Sequence, residues 1–321
     1  FSNIDFFEFV SYKSNLDKKR ILTVGDSQVE ALQVDNKETF HDLFNNSERK
    51  FDSINQIKNS YISTSIGSSG MALPNYIQSL KYALNHTSLD SDIVLISIQS
   101  NDFDESFKKY AIKGRRSGRG QFYFDLLGNI EFEEYPPENL LGKLISISLR
   151  NSSLIRYLTY NIEVFQKIDN LKINCFLKNN PSSCNHKNQR FASNIVDESY
   201  DQNPERYDMG YKATKFFLNE LSELRQTDLM KKNTILIVDA DRGFINSQYP
   251  QKGLFFDSQR KFLIKNAIDK GFTVIDLEDD FSEKFRDGLT FNSSIDAHWN
   301  ASGHKIVFEA VLREINKIIS N

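Results

Sequence analysis

A three-layer α/β/α sandwich around a central, mainly parallel sheet is the fold class this sequence predicts, and three observations predict it. Short dense apolar runs, such as Ile93-Val94-Leu95-Ile96, lack the polar alternation of a half-exposed strand and so read as strands buried on both faces. These runs alternate along the chain with segments whose apolar residues recur at helical spacing. At 321 residues with 39% hydrophobic content, the chain is long enough to bury such a core.

The first strand is Ile21-Leu22-Thr23-Val24, which runs directly into Gly25-Asp26-Ser27. Gln28 to Leu32 reads as the start of a helix, so Ser27 stands where a strand hands over to a helix N-terminus and its free backbone N–H groups. Taken alone, Gly-Asp-Ser also suits an ordinary N-cap serine. Ala31 to Phe44, with Glu38-Thr39-Phe40-His41-Asp42-Leu43-Phe44, has helical spacing, and His41 is read as a surface residue of that helix. Lys58 to Ser65 is the second strand, and the loop Gly67 to Met71 leads to a helix from Leu73 to Asn85 with Pro74 in its first turn. Asp92 to Ile98 is the third strand, expected at the centre of the sheet.

From Phe103 to Gln226 the rhythm changes. Lys113 to Gly120 is a basic, glycine-punctuated loop, for which a solvated loop competes with a site for an anionic substrate. Phe122 to Phe132 reads as a hairpin around Leu127-Gly128-Asn129, Leu140 to Ile168 as mostly helical, and Tyr211 to Met230 as the helix that returns the chain to the core. The whole is expected to be a single domain, residues 1–321, with an insertion or cap at about 105–230. Strands then follow at Thr234 to Asp239 and Phe272 to Asp276, separated by a helix from Ser258 to Lys270 that Gly271 stops. The last helix spans Ser302 to Ser320 with Ile306, Val307, Ala310, Val311, Ile315 and Ile318 on one face. Just before it stands Asp296-Ala297-His298-Trp299-Asn300.

Forty basic and 43 acidic residues, a net charge of −3, show no bias toward nucleic acid. No apolar run is long enough to span a bilayer. Cys175 and Cys184 close a turn-rich polar loop, which favours a disulfide in an exported protein over two free thiols; no metal site is read around His186. The chain opens at Phe1 rather than Met, so a processed or a trimmed form is expected, and an anchor or signal before Phe1 is not legible in the sequence. The sequons at Asn45, Asn151 and Asn300 are read as unused.

Gly25-Asp26-Ser27 and Asp296-Ala297-His298 resemble the first and last blocks of the SGNH, or GDSL, hydrolase superfamily. Ser65-Ile66-Gly67-Ser68-Ser69-Gly70 and Gln99-Ser100-Asn101-Asp102 resemble its glycine and asparagine blocks, and all four occur in order, each read as following a strand. The third block departs from Gly-x-Asn-Asp in having Gln99 and Ser100. The resemblance covers Lys19 to Asp104 and Thr234 to Lys317, and implies a flavodoxin-like sheet and a serine esterase without cofactor or metal. Ser27 is the implied nucleophile, His298 its base and Asp296 the residue that orients the base. The implied oxyanion donors are the backbone N–H groups of Ser27 and Gly70, the latter preferred to Gly67, and the side-chain amide of Asn101. His304, in Gly303-His304, is implied to be structural. The expected substrate is an acetyl or short acyl ester of a small molecule or carbohydrate. An O-acetyltransferase acting on an exported polysaccharide would use the same residues, and a carbohydrate-binding protein without turnover is the third reading.

Overall fold

The computed structural model describes residues 18–45, 61–86, 91–111, 120–134, 203–226, 233–246, 254–293 and 297–320. In chain order its strands are β1 (Lys19–Gly25), β2 (Tyr61–Gly67), β3 (Ile93–Ile98), β4 (Gln121–Phe124), β5 (Ile130–Glu133), β6 (Asn233–Val238) and β7 (Thr273–Asp276). Five of them form one sheet in the order β2-β1-β3-β6-β7 with every neighbouring pair parallel; β4 and β5 form a separate antiparallel hairpin. The helices are α1 (Ser27–Glu30), α2 (Leu73–His86), α3 (Pro204–Gln226), α4 (Arg242–Ile245), α5 (Leu254–Asp269), α6 (Glu278–Arg286) and α7 (Ala301–Ser320).

Parallel strands joined by helices are covered on both faces, and the strand period of two divides their side chains between two cores. Leu22, Val24, Val94, Ile96, Leu236 and Val238 face a core completed by α2, α3 and α5. Ile21, Ile93, Leu95, Ile235, Ile237 and Ile275 face the other, completed by α6 and α7. The expected sandwich forms, and β3 lies at the centre of its sheet. The β1–β2 register pairs Gly25 with Gly67, and α1 presses onto both. A Cβ on Gly25 would collide with Val29 Cγ2, and one on Gly67 would meet the Glu30 amide nitrogen at 2.6 Å. Those two missing side chains let α1 sit directly on the carboxyl edge of the sheet.

The largest departure from expectation lies after α1. Ala31 takes a left-handed φ of 48° and ends the helix, and in place of a helix to Phe44 there are two 3-10 turns, Asn36–Glu38 and Asp42–Phe44. The Asp35 carboxylate accepts from the Lys37 N–H, and the Thr39 hydroxyl donates to the Asn36 carbonyl, so short polar side chains supply bonds that compete with helix continuation. Phe40 and Phe44 are buried all the same, so their spacing serves core rings and not a helical stripe. His41 is half-buried beside the Thr39 hydroxyl and lies on no helix.

Smaller departures have local causes. The helix expected from Tyr211 begins at Pro204, with the Asn203 side chain accepting from the Glu205 N–H: a cap followed by proline in the first helical position. Sequence reading also missed α4 and α6, which are short. The basic loop at 113–119, the helical pattern at 140–168, Cys175 and Cys184 and the sequon at Asn151 lie outside the described residues.

Candidate active site

β1 delivers its carboxyl end to Gly25, and Asp26 caps α1 by accepting from the Gln28 N–H at 2.9 Å. Ser27, half-buried, places Oγ 2.7 Å from Nε2 of His298, a residue 271 positions away. Ser27 Oγ also lies 3.3 Å from Asp26 Oδ2. The hydroxyl has one proton and can donate to only one of them; the 2.7 Å contact is in the range of a good hydrogen bond and the 3.3 Å contact is beyond it. Burial pushes the Asp26 carboxyl above its ordinary value, opposed by the Gln28 amide and by His298.

The segment carrying His298 is fastened at several points. Asn292 and Trp299 form an isolated antiparallel bridge, the Ser293 N–H donates to the His298 carbonyl at 2.6 Å, and the Asn300 N–H donates to the Phe291 carbonyl at 3.0 Å. The Asn300 side-chain amide donates to the carbonyls of Thr290 and Asn292, and its oxygen accepts from Gly303 at the start of α7. Trp299 is fully buried against Phe40, Phe281 and His304, and its backbone N–H donates to Gln28 Oε1 at 2.9 Å. The residue after the serine therefore bonds the residue after the histidine, a second tie beside the Ser27–His298 contact.

His304 is buried under this segment, with the Phe40 N–H donating to Nδ1 at 3.3 Å. Burial pushes its pKa down to about 3. Below pH 6.5 the unfolded chain takes up a proton that the folded chain refuses until about pH 3. The contribution of this one group is therefore complete above pH 6.5 and lost as pH falls through that window, by up to about 1.4 kcal/mol per pH unit. His304→Gln keeps an acceptor and cannot titrate, so its urea midpoint should gain steadily on that of wild type from pH 7 to pH 4.5; a constant gap between the two would contradict this.

Gly70 and Asn101 follow the strands on either side of β1. Gly70 is buried at φ 75°, where its carbonyl accepts from the Gln121 side chain at 3.0 Å. The Glu30 carboxylate, from the helix that Ser27 opens, accepts from the Ser69 N–H at 2.6 Å and from the Ser69 hydroxyl. Asn101 lies in a 3-10 turn, Ser100–Asp102, directly beyond β3, and its amide faces Glu105 Oε2 at 3.4 Å. Asp102 braces that turn, accepting from the Gln99 N–H at 2.6 Å and from the Tyr76 hydroxyl at 2.9 Å. Burial, and then the charge of Asp26, hold its carboxyl well above the usual range.

Of the residues singled out from sequence, Ser27 and His298 are in direct contact, Gly70 and Asn101 occupy the same carboxyl edge, and Asp296 lies outside the described residues. In open parallel sheets the ligand crevice lies at that edge, where strand order reverses; here that is between β1 and β3. Sequence reading gave no role to Asp26, Gln28, Asp102, Asp239 or Arg242. Charged residues set directly after a buried strand, as in Val238-Asp239, were the available signal. Among the described residues no three His, Cys, Asp or Glu side chains are grouped to hold a metal, and no helix is long and apolar enough to cross a membrane.

No family model and no curated protein sequence matches this chain. Among solved structures, a member of the lipolytic protein G-D-S-L family from Veillonella parvula is 12% identical at a TM-score of 0.46, covering 92% of this chain and 97% of that one. A catalytic mutant of an acetylxylan esterase from Geobacillus stearothermophilus is 13% identical at 0.43, covering 94% and 96%. Likenesses this distant concern the course of the backbone and carry nothing about the chemistry of the side chains.

Proposed function

We propose that the chain is a serine esterase that hydrolyses carboxylic esters through an acyl-enzyme. The observation that supports this most is the 2.7 Å approach of Ser27 Oγ to His298 Nε2 at the carboxyl edge of a parallel sheet. A serine hydroxyl is a weak nucleophile at neutral pH, and an adjacent imidazole is the group that can activate it. In the proposed reaction Oγ attacks the acyl carbonyl while His298 takes its proton, then returns it to the leaving alcohol. Water activated by the same imidazole releases the acid. Asp296, two residues before His298, is proposed to orient the ring and support its charged form. The N–H groups of Ser27 and Gly70 and the side-chain amide of Asn101 are proposed to receive the developing oxyanion, each at about 3 kcal/mol.

A short acyl group on a small molecule or carbohydrate and an exported location are parts of the same proposal, supported by the sequence resemblance and the Cys175–Cys184 spacing. The 105–230 segment is proposed to cap the same domain. Nitrophenyl acetate, butyrate and octanoate test the central point. The reading expects turnover of the acetate with kcat/KM falling as the acyl chain lengthens; no turnover of any of the three would contradict it.

A further inference from the structure

Behind the His298 segment stands a guanidinium for which the esterase chemistry has no direct use. Arg242 opens α4 just beyond the carboxyl end of β6 and is 8% exposed. Its Nε donates to Asp239 Oδ1 and Oδ2 at 3.1 and 3.0 Å, and its Nη2 lies 2.9 Å from Oδ2. Its Nη1 donates to the Ala297 carbonyl and to the Asn292 side-chain oxygen, both at 2.5 Å. Asp239 also accepts from the Trp299 indole N–H at 3.3 Å, and the guanidinium lies 5.8 Å from that ring.

One planar group thus joins the end of a central strand to both sides of His298. Ala297 precedes the histidine, and Asn292 is the bridge partner of Trp299, which follows it. The fork of donors on arginine allows this, because one edge can face a carboxylate while the remaining N–H groups reach carbonyl oxygens; a lysine ammonium has no such fixed spread. Stability alone does not account for the pair, since a buried ion pair is commonly no better than well-packed apolar residues of the same volume. What the pair does supply is direction, for the acceptors Arg242 engages lie directly beyond β6, at Asp239, or on the segment that carries the imidazole.

We infer that Arg242 is a positioning residue for His298, fixing the imidazole at reacting distance from Ser27 by anchoring Ala297 and Asn292 to Asp239. This rests on the esterase reading. Its effect is on geometry: displacing a reacting group by about 1 Å costs on the order of 100-fold in rate. Arg242→Lys keeps a positive charge beside Asp239 and gives up the fork. It should lose about 100-fold in kcat with KM nearly unchanged and with a urea midpoint close to wild type. Phosphonate labelling of Ser27 should slow by a similar factor. Millimolar guanidinium should restore part of the kcat of Arg242→Ala.

A lysine variant with wild-type kcat would overturn the inference, as would activity that merely tracks the folded fraction in both variants. If Arg242→Ala does not fold, the lysine variant decides. If wild type turns over no ester, the esterase reading falls, and the anchoring is read instead from the ring nitrogen resonances of His298. Displacement of those resonances in Arg242→Lys supports the anchoring, and unchanged resonances overturn it.

Discussion

Replacing His298 by alanine should remove ester hydrolysis as completely as replacing Ser27, a loss of at least about 10⁴-fold in kcat, with the fold intact in both variants. The two act as one unit: Oγ cannot shed its proton without the imidazole at 2.7 Å, and the imidazole has no substrate bond of its own to make. Their losses should therefore not add, and the double variant should be no slower than either single one. Neither side chain is a core residue, since both are half-buried, so circular dichroism and the urea midpoint should stay near wild type. Asp296→Asn should keep more activity than His298→Ala, because the aspartate is proposed only to orient and support the ring. Rate–pH profiles of the two variants compare them directly, and equal, complete loss at every pH would give Asp296 a larger part than orientation.

The next largest effect is expected at Asn101. Removing one oxyanion donor in acyl transfer costs about 10²- to 10³-fold in kcat, because the bond is strongest to the charge that exists only near the transition state. Asn101→Ala should therefore lose that factor in kcat while KM moves little. The turn beyond β3 should survive the change, since it is held by Asp102 through the Gln99 N–H and the Tyr76 hydroxyl and not by the Asn101 amide. A rise in KM with kcat preserved would instead make Asn101 a ground-state contact, and the donor would have to be sought elsewhere on the same edge.

The parallel sheet was legible because its strands are buried on both faces and so read as unbroken apolar runs: Ile93 to Ile98 needed no tertiary information to be placed at the centre. Ser27 and His298 were legible because each sits in a short motif at a predictable place, directly after a strand and directly before a helix. What sequence could not carry was anything decided by side chains competing with backbone. The helix expected through Phe44 became two turns because Asp35 and Thr39 bond locally, and helical spacing of Phe40 and Phe44 is equally compatible with two rings filling a core. The Arg242 anchor was hidden for a different reason, since its partners Asp239, Asn292 and Ala297 are spread over almost sixty residues and meet only at the sheet edge. The start of α3 was missed although it was readable, as Asn203-Pro204 is a cap followed by a first-turn proline.

Covalent labelling tests most directly whether the Ser27–His298 contact makes a nucleophile. Wild-type protein incubated with a fluorophosphonate, digested and mapped by mass spectrometry should carry one adduct, on the peptide containing Ser27, and should lose esterase activity in step with its appearance. In His298→Ala the adduct should form far more slowly, since the serine has lost its base. An active enzyme labelled at another serine, or labelled at Ser27 equally fast without His298, would contradict the assignment of this pair.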